Sequence, residues 1–204
     1  MTRSKAARSA LVGAAESGSN AVLVTLSHEF ELLDRRQIEL VEPGLPTHPH
    51  HHEGSWALGR YLKSPWARPI TLAEAVELVE RVRASAHKLA RAHLAALREL
   101  APDGVAKIAL RACQPVPATI EAAIADARAQ TYADSVMYRR ALASAAEELG
   151  WGVAWYDNER VEFEAAAALR ETSLEAHLRE LGRKAGPPWQ ARHKLAAMAA
   201  IAAR

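Results

Sequence analysis

The chain has 204 residues, of which 50% are hydrophobic and 25% charged, and its formal net charge is +2. This length suits one domain or two small ones, and the net charge is too small to indicate a nucleic-acid partner by itself. No apolar run approaches the ~20 residues that a helix needs to span a bilayer, so we expect no membrane partner.

The first nine residues form a basic segment, which we expect to be a flexible tail over residues 1–9. It carries Arg3, Lys5 and Arg8 but no hydrophobic stretch, so it does not have the pattern of a secretory signal. The single cysteine, Cys113, excludes an intramolecular disulfide and is typical of a reducing compartment. A cytoplasmic location is therefore expected.

Three short strands are predicted next, over residues 10–15, 21–26 and 30–41. Gly18 to Asn20 has turn chemistry between the first two strands, and His28 and Glu29 form the second turn. The middle strand is rich in β-branched residues, and the third alternates apolar and polar residues. This pattern predicts an antiparallel three-strand meander.

Residues 43–70 are predicted to form one long irregular loop rich in proline, histidine and tryptophan. Structureless loops of this length are uncommon in compact domains and are commonly functional or disordered. We expect the loop to be pinned to the body of the protein by its apolar residues, with contact to another subunit as the alternative. These residues are Trp56, Leu58, Tyr61, Leu62 and Trp66.

The pattern of the remaining residues predicts helices separated by two short strands. Thr71 and Glu74 form a capping box that opens a long helix ending near Pro102. The later predicted elements, in chain order, are a strand over 105–110, a helix over 118–149 broken near Thr131, a strand over 152–156, a helix from Asn158 to Arg170, a helix capped at Thr172, and a last helix over 189–203. Residues 10–204 are thus predicted to form a single α/β domain.

From Val105 onward, the order and spacing of these elements resemble the RuvC-type Holliday-junction resolvases, a branch of the ribonuclease H-like superfamily. The matching pattern is a strand at 108–111, a loop at 114–117, a helix at 138–149 and a strand at 153–156. Helices at 159–169, 174–181 and 191–203 correspond to the family's helical C-terminus. The resemblance implies a ribonuclease H-like fold, in which an antiparallel meander precedes parallel β-α units.

The resemblance also implies where the chain departs from the family. Such nucleases hold two divalent ions with carboxylates on the first strand, the fourth strand and the last helix. Here the first-strand position falls on Ala15, with Glu16 beside it, and the fourth-strand position falls on Arg111. The positions on the last helix fall at about His193 and Ala196. Few oxygen ligands remain for Mg²⁺, so we expect the catalytic chemistry to be lost, with Glu16 and His193 as the weak catalytic candidates.

The resemblance therefore predicts a catalytically degenerate RuvC-like protein, leaning towards no enzymatic activity. It would act as a nucleic-acid-binding or scaffold module, with DNA or RNA as the partner and self-association into a homo-oligomer. The expected nucleic-acid contacts are Arg111, Arg192, His193 and Lys194.

Two other functions stay open. One is a metal-dependent nuclease or phosphoesterase whose ligands have moved to Glu16, His193 and the histidine-rich loop. The other is a structural protein-interaction module that binds through Trp56, Tyr61 and Trp66 and has no nucleic-acid role.

The histidine-rich run holds the densest set of possible metal ligands, and neutral imidazoles suit Zn, Ni or Cu. The candidates are His48, His50, His51 and His52. Contiguous histidines do not easily face one ion, so a polar loop that takes metal adventitiously is favoured. We expect no resident cofactor, with a divalent metal at this loop as the open alternative.

Two further sets of residues are weaker candidates for catalysis. Cys113 follows the fourth strand and would be a nucleophile if a histidine lowered its pKa, but a lone cysteine is usually a small buried hydrophobe. His28, Glu29 and His193 would form a catalytic group only if the second turn met the last helix.

Overall fold

The structure, a computed structural model, describes residues 9–170 and 173–204. The predicted tail therefore lies almost entirely outside the described residues, as does the predicted cap at Thr172. The strands are β1 (Ala10–Ser17), β2 (Asn20–Leu26), β3 (Leu32–Glu39), β4 (Val105–Arg111) and β5 (Gly152–Tyr156). The α-helices are α1 (Gly54–Ala57), α2 (Leu72–Ala95), α3 (Ile120–Ala125), α4 (Ala127–Glu148), α5 (Val161–Leu169), α6 (Leu174–Ala185) and α7 (Ala191–Ala202).

The strands form one sheet in the order β3-β2-β1-β4-β5. Strands β1, β2 and β3 are antiparallel neighbours, while β4 runs parallel to both β1 and β5. Short turns suffice for the antiparallel part, whereas the parallel pairs need the helical crossovers that α2 and α4 supply. This order and these directions are those of a ribonuclease H-like α/β fold and confirm the predicted fold class.

Alternate residues of β1 face two different helical layers. Val12 and Ala14 pack with Tyr138 and Leu142 in the core beneath α2 and α4. Leu11, Ala15 and their neighbours on β2 pack instead against α5, α6 and α7. Among the described helices, none has the length and apolar character of a membrane span.

Helix α7 lies directly on β1 at Gly13. A Cβ atom added at Gly13 would lie 1.8 Å from the carbonyl oxygen of Ala196 and 2.7 Å from the nitrogen of Ala200. Ala196, Ala197 and Ala200 are fully buried on this face of the helix. The glycine and the alanines together let the helix backbone approach the strand with almost no side chain between them.

The prediction of one irregular loop over residues 43–70 is wrong in part. Pro49–Glu53 forms a π-helical turn that leads directly into α1. The turn forms because the backbone N–H groups of His50 and His51 are held by the buried carboxylate of Asp134, 84 and 83 residues away in sequence. Local sequence carries no signal for such a contact.

Two helix boundaries also differ from the prediction. The break in the helical stretch 118–149 occurs at Asp126 and not near Thr131, because the Asp126 carboxylate accepts the N–H groups of Arg128 and Ala129 and starts α4. Helix α5 starts at Val161, so Asn158 is not its N-cap. The predicted capping box of Thr71 and Glu74 is present at the start of α2.

The close approach at Gly13 gives a stability prediction. We expect Gly13→Ala to lower the free energy of unfolding by about 2–3 kcal/mol, because the helix backbone must move away from the strand. Gly152→Ala on β5 is the matched control, since its Cβ would meet its nearest neighbour at an ordinary 3.4 Å. Urea unfolding of both variants checks this, and an equal stability of the two would contradict it.

Candidate functional site

Two arginines converge on the one carboxylate of β1, which is buried. Glu16 has a side chain only 3% exposed, and its Oε1 accepts hydrogen bonds from Arg111 and Arg139. Arg111 ends β4, and Arg139 lies on α4 with its Nε 2.7 Å from the carboxylate oxygen. The carboxylate therefore joins β1, β4 and α4 at one end of the sheet.

The two guanidinium groups differ in their access to solvent. The side chain of Arg139 is 4% exposed and also donates to the carbonyl of Ala112 at 3.0 Å. That of Arg111 is 35% exposed and has a buried Nε without a partner among the described residues. Arg139 thus holds Glu16 and Ala112 from inside the protein, while part of the Arg111 guanidinium is accessible at the surface.

A third guanidinium reaches the same end of β1. The Arg192 side chain, on the first turn of α7, donates to the carbonyl of Ala15 at 3.0 Å and to the amide oxygen of Asn20 at 2.8 Å. We call Arg111, Arg139 and Arg192, gathered around Glu16, the arginine cluster. Its charges sum to an excess of positive charge at the carboxyl ends of β1 and β4. Asp157, which follows β5, is exposed and caps the N–H of Glu159.

The residues at this edge do not fit the pair of divalent ions that the fold family implies. Glu16 is the sole carboxylate in the arginine cluster, and two positive charges already occupy its Oε1. A divalent cation there would replace both ion pairs and be repelled by both guanidinium groups. Ala15 offers no ligand and packs into the core beneath α7.

His193 is also not placed as a ligand. Its ring is buried, and its Nδ1 accepts the backbone N–H of Gln190 at 3.1 Å at the start of α7. Burial, with the nearby charges of Arg35 and Arg192, lowers the pKa of His193, so the neutral ring caps the helix at neutral pH. The second position on this helix, Ala196, is fully buried against β1.

Of the four predicted nucleic-acid contacts, two lie together. Arg111 and Arg192 hold neighbouring residues of β1, while His193 is buried and Lys194 is exposed on the first turn of α7. Their roles stay predictions. Sequence reasoning missed Arg139, although an arginine inside the apolar run from Val136 to Leu142 is a signal for a buried partner.

We call residues 47–53 the histidine segment. It is held against α4 by polar contacts. The Nδ1 of His50 lies 2.8 Å from Oδ1 of Asp134, and both residues are buried. The hydroxyl of Tyr138 donates to the carbonyl of Thr47 at 2.7 Å. Most of the apolar residues predicted to pin the loop to the body of the protein lie at the surface instead. Leu58, Tyr61, Leu62 and Trp66 are between 38% and 54% exposed.

A row of rings starts at the β1–β2 turn and runs along this segment. His48 lies against Gly18, where an added Cβ would be 3.3 Å from its Nε2. His48 is 5.4 Å from His52 between ring centroids, and His52 is 6.4 Å from Trp66. Tyr61 contacts Trp66 at 5.7 Å. We call these four rings the aromatic row; His51 and Trp56 flank it.

The remaining sequence candidates are dispersed. Among residues 9–170 and 173–204, no three His, Cys, Asp or Glu side chains are placed to hold a metal ion. Metal binding by the histidine segment stays a prediction. His28 lies 3.5 Å from Glu29, and Cys113 is a half-buried free thiol after β4.

The buried ion pair predicts a large difference between two adjacent arginines of α4. Arg139→Met should lower the free energy of unfolding by about 3 kcal/mol, because it leaves Glu16 buried with only the half-exposed Arg111. Arg140→Met, at the exposed neighbouring position, should stay within about 0.5 kcal/mol of the parent chain. Urea unfolding measures both.

The double variant Glu16→Gln/Arg139→Met should be more stable than Arg139→Met alone, since it no longer buries an underpaired charge. Similar effects of Arg139→Met and Arg140→Met would show that the buried pair does not stabilise the fold.

Glu53 gives a pH prediction. Burial raises the pKa of Glu53 to about 7, with a further contribution from the charge of Asp134, and its Oε2 has no partner among the described residues. The folded state thus retains a proton that the unfolded state loses above about pH 4.5, so this carboxyl destabilises the fold as pH rises from about 4.5 to 7.

Glu53→Gln should therefore raise the free energy of unfolding at pH 8 by about 1 kcal/mol, after allowance for solvent screening, and change little at pH 4. Glu77→Gln, on the exposed side of α2, is the control and should show no such pH-dependent gain. Thermal and urea unfolding at both pH values test this, and a gain that is equal at pH 4 and pH 8 would count against it.

Comparison with known proteins yields a likeness of fold. No protein-family model matches the chain, and no curated protein matches it. A solved structure of T. thermophilus RuvC in complex with a Holliday junction substrate is 16% identical, with a TM-score of 0.48, over 95% of this chain and 90% of that chain. The fold assignment given above rests on the order and direction of the strands.

Proposed function

We propose that the chain is a catalytically degenerate nucleic-acid-binding module whose phosphate contacts lie at the arginine cluster. The observation that carries this proposal is the double ion pair at Glu16, where two guanidinium groups meet a single carboxylate and leave a surplus of positive charge. Guanidinium groups bind phosphate oxygens through paired hydrogen bonds, and neutralised phosphates release counterions.

The contact is made by Arg111, whose side chain is 35% exposed, together with Lys194, which lies outside the cluster and follows Arg192 on α7. Arg111 and Lys194 are accessible to a phosphate, whereas Arg139 and Arg192 are held by main-chain oxygens and add positive potential. His193 fixes the start of α7 and thereby the position of its neighbours Arg192 and Lys194. Because Glu16 orders Arg111 before binding, less side-chain entropy is lost on contact.

The aromatic row favours single strands over duplexes. It starts beside Gly18, two residues after Glu16, and ends at the exposed rings of Tyr61 and Trp66. Unpaired bases stack on such rings, whereas the bases of a duplex are already stacked. Lys63 and Arg68 are exposed in the same segment and add positive charge near the rings.

A protein-interaction role has its own support in the exposed Tyr61 and Trp66, which are 41% and 54% accessible. In that role the same rings would contact a protein partner or a second copy of the chain. Sedimentation velocity of the purified chain measures the proposed self-association.

The first experiment is fluorescence anisotropy with labelled single-stranded DNA, RNA, duplex DNA and a four-way junction, across a salt series with and without Mn²⁺. We expect affinity that falls steeply with salt and is highest for single strands. Arg111→Glu and Lys194→Glu should each weaken binding to every substrate, whereas Trp66→Ala should weaken single-strand binding by about tenfold. Arg179→Glu, on the exposed side of α6, is the control.

Gels run on the same samples test degeneracy. Mn²⁺-dependent cleavage would overturn the loss of catalysis and favour relocated ligands. Absence of binding at moderate salt would overturn the nucleic-acid role and leave the protein-interaction role.

A further inference from the structure

A cavity of about 520 Å³ lies between α2, the segment after β4 and α4, on the side of the sheet that α2 and α4 cover. Its volume is that of a site for a small molecule. Most of its wall is aliphatic, so it would bind an apolar body. The principal apolar residues are Val79, Val116, Ile120, Val136 and Met137.

One buried polar side chain lines this cavity. His50 is 6% exposed, and its Nδ1 is 2.8 Å from the buried carboxylate of Asp134. A carboxylate accepts hydrogen bonds, so we assign the N–H of the neutral imidazole to Nδ1, which leaves a lone pair on Nε2. Nε2 has no hydrogen-bond partner among the described residues. It is therefore an acceptor available to a ligand that carries an O–H group.

The charged residues around the cavity leave one cation without a partner. Arg83 is paired with Glu80, and His87 lies 2.9 Å from Glu148. Arg140 is exposed, lines the cavity and has no ion pair among residues 9–170 and 173–204. A single guanidinium at the edge of an apolar cavity matches a monoanion such as a carboxylate.

We infer that this cavity binds a small hydroxylated monocarboxylic acid with an aromatic or aliphatic body. The ligand hydroxyl donates to Nε2 of His50, the carboxylate accepts from Arg140, and the body packs against the aliphatic wall. This site is separate from the arginine cluster and does not rest on nucleic-acid binding.

Calorimetry with three related probes tests the polar contacts on the unmodified chain. The probes are para-hydroxyphenylacetate, phenylacetate, which lacks the hydroxyl, and 2-(para-hydroxyphenyl)ethanol, which lacks the carboxylate. We expect para-hydroxyphenylacetate to bind, and each of the other two to bind about tenfold more weakly, because phenylacetate loses the hydrogen bond to His50 and the alcohol loses the charged contact with Arg140. Equal affinity for all three probes, or no binding at millimolar concentration, would overturn the inference.

Two variants locate the site. Arg140→Gln should weaken binding of para-hydroxyphenylacetate by about tenfold and leave binding of the alcohol unchanged. Ala84→Trp, at an exposed position of the cavity wall, should block all three probes without disturbing the core. Arg81→Gln, which lies on α2 outside this cavity, is the control. Undiminished binding in Ala84→Trp would place the probes elsewhere and sink the proposal.

Discussion

Glu16 and Arg139 form a buried ion pair at the point where β1, β4 and α4 meet. Both side chains are almost fully shielded from water, so removal of either one would leave the other as a buried charge with fewer partners. Arg111 adds a second bond to the carboxylate, and Arg139 adds one to the carbonyl of Ala112. The pair thus ties α4 to the sheet in addition to the apolar packing of Tyr138 and Leu142.

The same pair determines what kind of ligand the edge of the sheet can attract. A group of carboxylates at the carboxyl ends of parallel strands concentrates cations, whereas guanidinium groups there concentrate anions. Here guanidinium groups surround a single carboxylate, so the local charge at this edge is positive. The fold does not fix this sign, because it depends on the side chains that the strand ends carry.

Helix α4 also carries the second buried carboxylate, Asp134, which holds the turn containing His50. Arg139 and Asp134 lie on this one helix, and each binds a segment distant in sequence. A displacement of α4 would thus affect the edge of the sheet and the histidine segment together. The cavity beneath α2 shares a wall with the same helix.

Much of the fold could be predicted from the sequence, because its helix starts and strands are signalled by residues that are close together in the chain. The capping box at Thr71 is formed by residues three positions apart, and the alternation along the meander follows from the two-residue period of a strand. The π-helical turn and the Arg139 site could not be placed in this way, since their partners lie 84 and 123 residues away. For Asp134 and Arg139, the sequence indicates only that a charge on an apolar helix face needs a partner.

The contact of α7 with Gly13 has a consequence for motion. Helix and strand meet backbone to backbone, so neither can slide or rotate without a steric clash. A ligand at this edge cannot be accommodated by movement of that layer. We expect any adjustment in the largely exposed segment from Leu58 to Ile70, where slower hydrogen exchange of backbone amides would report ligand-induced ordering while β1 amides stay protected throughout.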